Sequence, residues 1–257
     1  MIHRKTNQEI AVMREGGAKL GSILVALLQF AQPGVSLTAI EEQANALIDK
    51  SGGTASFKTV QGYHWATCLC INEVVVHGIP SPYILKDGDV LTIDIGLIFG
   101  GFHTDTAWTK VVGVDTSPEK AKKEDFLLVG QEALEKAIKL ARIDTHIGEI
   151  SDSTQRIIEG AGYSIVKSLV GHGVGHELHE DPQVPNYLRG SIENTYPFQG
   201  NETIAIEPIY AMGNGSVVYE NDDGWTIATR DRSLAASFEH SIAITENGPI
   251  VLTKAES

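Results

Sequence analysis

The sequence predicts an α+β fold made of two pseudosymmetric halves around a central antiparallel sheet, and three observations carry that expectation. Segments with helical spacing of apolar residues come in pairs ahead of strand-rich blocks. The order is therefore two helices then strands, twice over, and not a repeating βαβ alternation. Shifting the chain by 110 positions superimposes Ala31 on Ala141, Ile40 on Ile150, Ile48 on Ile158 and Gly52 on Gly162. No low-complexity linker interrupts the chain, which favours one domain over residues 1–257 with halves of roughly 1–115 and 116–257.

The elements follow in order. Asn7 to Ala31 reads as a helix stopped by Gln32-Pro33-Gly34, and a second helix starts after Ser36 and ends at the Gly52-Gly53 pair. Residues from Ser56 to Val114 are strand-rich, with a Phe99-Gly100-Gly101 turn signal inside VLTIDIGLIFGGFHTDTAWTKVV. Glu124 to Arg142 and Ile147 to Ile158 read as two more helices, and strands resume at Tyr163.

With 257 residues, 42% of them hydrophobic, the chain can bury a sizeable core. A formal net charge of -13 argues against nucleic-acid or anionic-membrane partners, which need a basic surface, and suits substrates that carry a positive charge. The two cysteines, Cys68 and Cys70, lie on one face of a strand in poor disulfide geometry and are expected to be reduced, as in a cytoplasmic protein. The charged opening MIHRKTNQEIAVMRE offers no secretory segment, and LGSILVALLQFA is too short to cross a bilayer.

The chemistry concentrates in acids on apolar strands. A two-residue turn at Phe99 and Gly100 pairs residues whose numbers sum to 199, as those of Asp94 and Asp105 do, and like charges placed opposite each other are unfavourable. Alternation puts Glu207 of NETIAIEPIYA on a face with Ala205, and Glu239 of AASFEHSIAIT on a face with Ser241 and Ala243. A lone carboxylate in such surroundings is costly to desolvate. A bland reading would need several buried cations, yet only Lys110, Arg230 and Arg232 lie nearby in the sequence. The stretch SLVGHGVGHELHEDP adds His172, His176 and His179. It holds HExH and not HExxH, so a zincin helix is excluded. G-H-G-V-G lacks the Lys and Ser/Thr of a phosphate loop, and no G-x-S-x-G occurs.

Two divalent cations resolve the conflict, because they neutralise four ionised carboxylates when one or two of these bridge ions roughly 3.5 to 4 Å apart. Oxygen donors with a single imidazole suit Co, Mn, Fe or Zn. Such a pair lowers the pKa of a shared water, so the chemistry expected is metal-assisted hydrolysis.

The ordered set NEVVVHGIP, IDIG, HTDTA, GHGVGHELHEDPQVPN, IEP and FEH resembles the type I methionine aminopeptidases of the pita-bread (creatinase/aminopeptidase) fold, over nearly the whole chain. The resemblance implies ligation by Asp94, Asp105, His172, Glu207 and Glu239, with Asp105 and Glu239 bridging and Asp94 on the second ion alone. It further implies that His77 lies near the scissile amide, that His179 contacts the scissile carbonyl and that Glu207 handles protons for the bridging water. Tyr63, Cys68 and Trp225 match the methionine pocket, where an aromatic and sulfur lining suits a thioether. His176 is read as structural, His103 as a support behind the ligands, and His64 and His240 receive no role. The segment Tyr63 to Asn72 is shorter than the family's, and Leu178 stands where Phe is usual; both changes touch the substrate pocket and not the metals.

The activity implied is removal of the initiator methionine from peptides and nascent chains whose second residue is small, by a cytoplasmic monomer that touches the ribosome transiently. The first helix starts near Met1, so the zinc-binding extension of some relatives is not expected, and no long insertion separates Glu207 from Glu239, which disfavours the type II branch. Two rivals share the fold. A prolidase or X-Pro aminopeptidase would carry a further N-terminal domain. A non-catalytic pita-bread protein that binds peptides or ribosomes would have lost metal ligands, whereas all five positions are filled here.

Overall fold

The computed structural model describes residues 2–114 and 117–255 of the chain. Helix α1 (Asn7–Phe30) opens with a capping box: the Thr6 hydroxyl accepts the Glu9 N–H at 3.2 Å, and the Glu9 carboxylate accepts the Thr6 N–H at 2.6 Å. Helix α2 (Leu37–Ser51) is capped by the Ser36 hydroxyl, which accepts the Ala39 N–H, and stops at Gly52 with φ 79°. Strands β1 (Thr54–Ala55), β2 (Thr67–Ile71), β3 (Val74–Val76), β4 (Val90–Phe99) and β5 (Phe102–Val111) follow.

Helices α3 (Lys120–Leu140) and α4 (Ile147–Gly160) and strand β6 (Ser164–Ile165) repeat this opening. Leu37 and Ile147 begin the second helix of each pair, and Thr54 and Ser164 begin the strand after it, at the 110-residue spacing read from the sequence. Ala31 and Ala141 end the first helices in nearly one conformation, φ -69° ψ 87° and φ -70° ψ 78°, and Gly52 and Gly162 are both left-handed. Helix α3 starts four residues before the expected Glu124, because its lysine-rich first turn carries no apolar periodicity.

The remaining strands are β7 (Val170–Gly173), β8 (Glu180–Pro185), β9 (Thr203–Ile206), β10 (Ile209–Ala211), β11 (Val217–Tyr219), β12 (Ile227–Thr229), β13 (Ala235–Ser237), β14 (His240–Thr245) and β15 (Gly248–Val251). All the ladders are antiparallel: β4 pairs with β1, β2 and β5; β15-β14-β9-β7-β8 form one sheet; and β13-β10-β6 and β11-β12-β3 form smaller ones. Helices α1 and α2 pack their apolar faces against β2 and β4, while α3 and α4 cover the sheet of β9 and β14, and Trp108 of β5 packs against both clusters. Leu91, Ile93, Ile95 and Leu97 of β4 are all fully buried, which is why the strand reads as an almost unbroken apolar run. Burial of each stabilises the fold by about 1.5–3 kcal/mol.

The register of the β4–β5 hairpin differs from the expected one. Phe99 pairs with Phe102 around Gly100-Gly101, so paired residue numbers sum to 201; Asp94 lies opposite Ala107, and Asp105 opposite Gly96. Both turn positions have positive φ, 58° and 86°, which two glycines supply without strain and Phe99 cannot. A two-residue shift keeps every side chain on its face, so Asp94 and Asp105 remain diagonal neighbours on one side of the sheet.

The glutamates are also placed differently. Neither lies inside a strand: Glu207 sits between β9 and β10, and Glu239 between β13 and β14. The pairs His240–Ile206 and Ile209–Ser237 belong to one continuous register, and the Phe238 N–H to Pro208 O bond bridges the gap. Glu207 therefore falls opposite Glu239, at the break where the ladder passes from one sheet to the next. The direct opposition of like charges expected of the aspartates belongs to the glutamates.

Candidate metal centre

The two sheets meet at a seam between β5 and β13–β14 that is closed largely by hydroxyl side chains. Ser241 Oγ accepts the Asp105 N–H at 2.9 Å and donates to Asp105 O at 2.8 Å, Thr106 Oγ1 donates to Glu239 O at 2.7 Å, and the Glu239 N–H donates to Ala107 O at 2.9 Å. Farther along, Thr109 Oγ1 donates to Ser237 O at 2.7 Å. The seam thus fixes Asp105 and Glu239 side by side. His172 arrives on β7 beside Ala205 of β9, which pairs on its other side with Ser241, and a ring nitrogen of His172 lies within 4.8 Å of carboxylate oxygens of Asp105 and Glu239.

The His172 Nδ1–H donates to Gly173 O at 2.9 Å. A carbonyl only accepts, so in the neutral ring this bond leaves Nε2 with its lone pair free, 3.5 Å from Glu207 Oε1 and 4.0 Å from Asp105 Oδ2. Burial, reinforced by His179, pushes the His172 imidazole down to about 4, so it is a neutral donor at physiological pH.

The acids behave in the opposite sense. Asp94 rises to about 7 because of burial, offset in part by hydrogen bonds from the Asp105 and Cys68 side chains. Burial, then Asp94 and Glu207, push Asp105 well above the carboxylate range; burial and Asp94 do the same to Glu207, and burial with Asp105 and Glu207 to Glu239. Asp94 Oδ1, Asp105 Oδ1 and Glu239 Oε1 are buried with no hydrogen-bond partner. Of the three cations flagged in the sequence, Lys110 donates to Leu28 O and Ala31 O at the end of α1, Arg232 pairs with Glu220, and Arg230 is exposed. Orphaned oxygens, mutually raised carboxyls and one neutral imidazole are the donor set that a divalent ion satisfies.

A pH signature follows. Carboxyls raised on folding contribute stability that is complete below their unfolded value of roughly 4 and is lost as pH rises through the folded value, about 7 for Asp94. Metal-free protein is therefore expected to melt at progressively lower temperature between about pH 5 and pH 8. Saturating Mn²⁺ should raise the midpoint by on the order of 5–10 °C, and by more at pH 8 than at pH 5. Scanning calorimetry with and without chelator checks this; a midpoint indifferent to metal at both pH values removes the cluster as a binding site.

The five expected ligands Asp94, Asp105, His172, Glu207 and Glu239, together with His77, His179, Tyr63, Cys68 and Trp225, all line one cavity of about 790 Å³. Tyr63, Cys68 and Trp225 form one end together with Phe57, Val60 and Leu178, packed as a single apolar cluster. The Tyr63 ring meets Trp225 edge-on at 5.1 Å, and its hydroxyl donates to Thr67 O at 2.8 Å. Cys68 lies directly opposite Asp94, and both thiols are free and held protonated by burial, Cys70 up to about 12. The short segment after Tyr63 is anchored by Glu41 of α2, whose carboxylate accepts Ala66 N–H, Thr67 N–H and Thr67 Oγ1–H. Phe57 and Val60 escaped the sequence reading because a single 3-10 turn leaves no periodic trace.

His77 follows β3 with φ 55°, a conformation that non-glycine residues adopt at a cost and retain where a site demands it. Its ring meets Trp225 at 6.3 Å, and desolvation with His179 nearby lowers its pKa. His179 lies across from His172, ring centroids 4.4 Å apart, and faces the cavity. His103, expected as a support behind the ligands, bonds the Ser56 hydroxyl through Nδ1 at 2.7 Å, and the Ser56 N–H donates to O of Gly96, the residue opposite Asp105. His176 sits at the cavity mouth against Phe102 and His3, and His240 packs on Trp108 with Nδ1 2.8 Å from Thr253 Oγ1.

A cleft lined by buried carboxylates and an imidazole that could hold a divalent ion, on two repeated α+β halves of a pita-bread fold, is the arrangement of a metal-dependent hydrolase. Residues 11–246 match the model of metallopeptidase family M24. The chain is 39% identical to the methionine aminopeptidase of Clostridium perfringens, covering 98% of this chain and 99% of that one, and 38% identical to methionine aminopeptidase 1 of Bacillus subtilis, covering 99% and 100%. The crystal structure of methionine aminopeptidase from Thermotoga maritima superimposes with a TM-score of 0.93 at 38% identity, covering 99% of this chain and 100% of that one. Prolidase from Pyrococcus furiosus shares the fold at a TM-score of 0.77 and 22% identity, with 66% of its chain covered. The chain belongs to metallopeptidase family M24, among the methionine aminopeptidases.

Proposed function

We propose that the protein removes the N-terminal methionine from new polypeptides whose second residue is small, with two divalent ions held by Asp94, Asp105, His172, Glu207 and Glu239. The observation that carries this reading is the single cavity in which those donors adjoin an apolar, sulfur-lined end. The ions, when bound, supply Lewis-acid activation of water and of the scissile carbonyl. Glu207, whose carboxyl is raised by burial and by Asp94, takes a proton from the attacking water and returns it to the leaving amine. His179 donates a hydrogen bond to the carbonyl oxygen as charge develops there, and His77 orients the scissile amide. Tyr63, Cys68 and Trp225 hold the thioether. The preference for a small second residue is carried over from the family resemblance.

Residues 1–257 act as one catalytic unit in this reading. The unit works as a cytoplasmic monomer on peptides and nascent chains, with transient ribosome contact and with no nucleic-acid or membrane partner. No helix among the described residues is long and apolar enough to cross a membrane. The test is turnover of Met-Ala-Ser and of Ala-Pro by purified protein loaded with Mn, Co, Fe or Zn, alongside elemental analysis. Methionine release, an intact Ala-Pro bond and two metal equivalents are expected; no methionine release with any of the four metals overturns the proposal.

A further inference from the structure

Behind the cavity mouth lies a buried charge pair that the chemistry above does not use. Lys5 Nζ is 2.5 Å from Glu180 Oε2, and the two side chains are 1% and 5% exposed. Both partners are fixed a second time: Lys5 Nζ donates to His3 O at 3.2 Å, and Glu180 Oε1 accepts the Glu177 N–H at 3.0 Å. The segment carrying Lys5 is itself strapped to the loop before β9, with the Lys5 N–H donating to Asn201 O at 2.7 Å and Arg4 Nε to Gly200 O at 2.7 Å. The ammonium is therefore held from outside the loop it touches.

That loop is residues 174–180, between His172 on β7 and the start of β8, and it carries both Leu178 and His179. The lysine stem runs against its backbone: a Cβ at Gly175 would come within 2.3 Å of Lys5 Cε, so a glycine makes room for the passage. The loop is pinned on its other side by the His103 N–H, which donates to Gly175 O at 2.7 Å.

We infer that Lys5 is a positioning residue whose buried ion pair with Glu180 clamps the 174–180 loop and so holds His179 against the substrate carbonyl. The inference rests on the role given to His179 under the proposed function. A buried ion pair is a weak source of net stability, since desolvating both charges offsets most of their attraction, and replacing both by uncharged groups of similar shape is often neutral. What it does supply is a fixed distance between the amino-terminal segment and the loop. With one partner gone, the other turns toward water and carries the loop with it.

The test compares Lys5→Met, Glu180→Gln and the double variant in the full-length, metal-loaded protein. Each single variant is expected to lower kcat on Met-Ala-Ser by about tenfold or more with KM changed little, as befits a small displacement of a group that acts in the transition state. The double variant should regain the wild-type melting temperature, because no charge is left unpaired, yet not regain kcat. Amide exchange across 174–180 should quicken by about tenfold or more in both Lys5→Met and the double variant. A double variant with kcat within about twofold of wild type, or with unchanged exchange in this loop, overturns the inference. Exchange does not depend on turnover, so failure of the wild type to release methionine would count against the proposed function and leave the clamp to be judged by exchange.

Discussion

Asp105→Asn is expected to lower kcat/KM on Met-Ala-Ser by about three orders of magnitude or more while raising the melting temperature of the metal-free protein at about pH 8. The loss corresponds to about 4 kcal/mol of transition-state stabilisation, within reach of a bound cation acting as a Lewis acid. The gain has the same origin. Asp105 is 5% exposed, lies beside Asp94 and near Glu207 and Glu239, and has an oxygen without a partner, so in the absence of metal its charge is a liability. An amide of equal size removes one of four mutually repelling groups but ligates poorly. Steady-state kinetics with saturating Mn²⁺, bound-metal analysis and melts in chelator measure the two effects on one preparation. If the variant keeps both wild-type turnover and wild-type metal content, Asp105 is not a ligand.

His179→Ala is expected to reduce kcat by about 10²–10³-fold, the loss typical of deleting a donor aimed at a developing oxyanion, and to leave metal stoichiometry unchanged. His179 packs against His172 at 4.4 Å but is no part of the close Asp105, His172 and Glu239 group, which is why the two replacements should separate cleanly. A His179→Ala enzyme that has lost metal in proportion to activity would assign this side chain to ligation.

The helix pairs and the repeat were legible because they rest on local signals: Ser36 and Gly52 bound α2, and the conformations of Ala31 and Ala141 recur at the spacing that the apolar matches suggested. The acids that gather at the cavity were legible because an acid on a strand such as β4, buried on both faces, contradicts its surroundings. What misled was register. Phe99 looked able to occupy the turn, but the demand for positive φ at two successive positions belongs to Gly100 and Gly101, and this moved every pair by two. Side-chain alternation could not reveal that Glu207 and Glu239 sit at a break in the ladder, because the break is set by another sheet's approach through Ser241 and Thr106. The clamp at Lys5 was invisible for the same reason: its partner lies 175 residues away.

The seam between β5 and β14 joins two distant stretches of the chain, and the proposed ligands reach the cleft from both sides of it: Asp94 and Asp105 from one, His172, Glu207 and Glu239 from the other. An ion seated there staples the two stretches and closes a long loop whose ordering entropy the bare protein must meet alone. Its removal should therefore free the backbone first at Asp105–Thr109 and Ser237–Ser241, as faster amide exchange, while the α1–α2 and α3–α4 pairs stay protected. The same ion that makes the enzyme reactive would then also be its clasp.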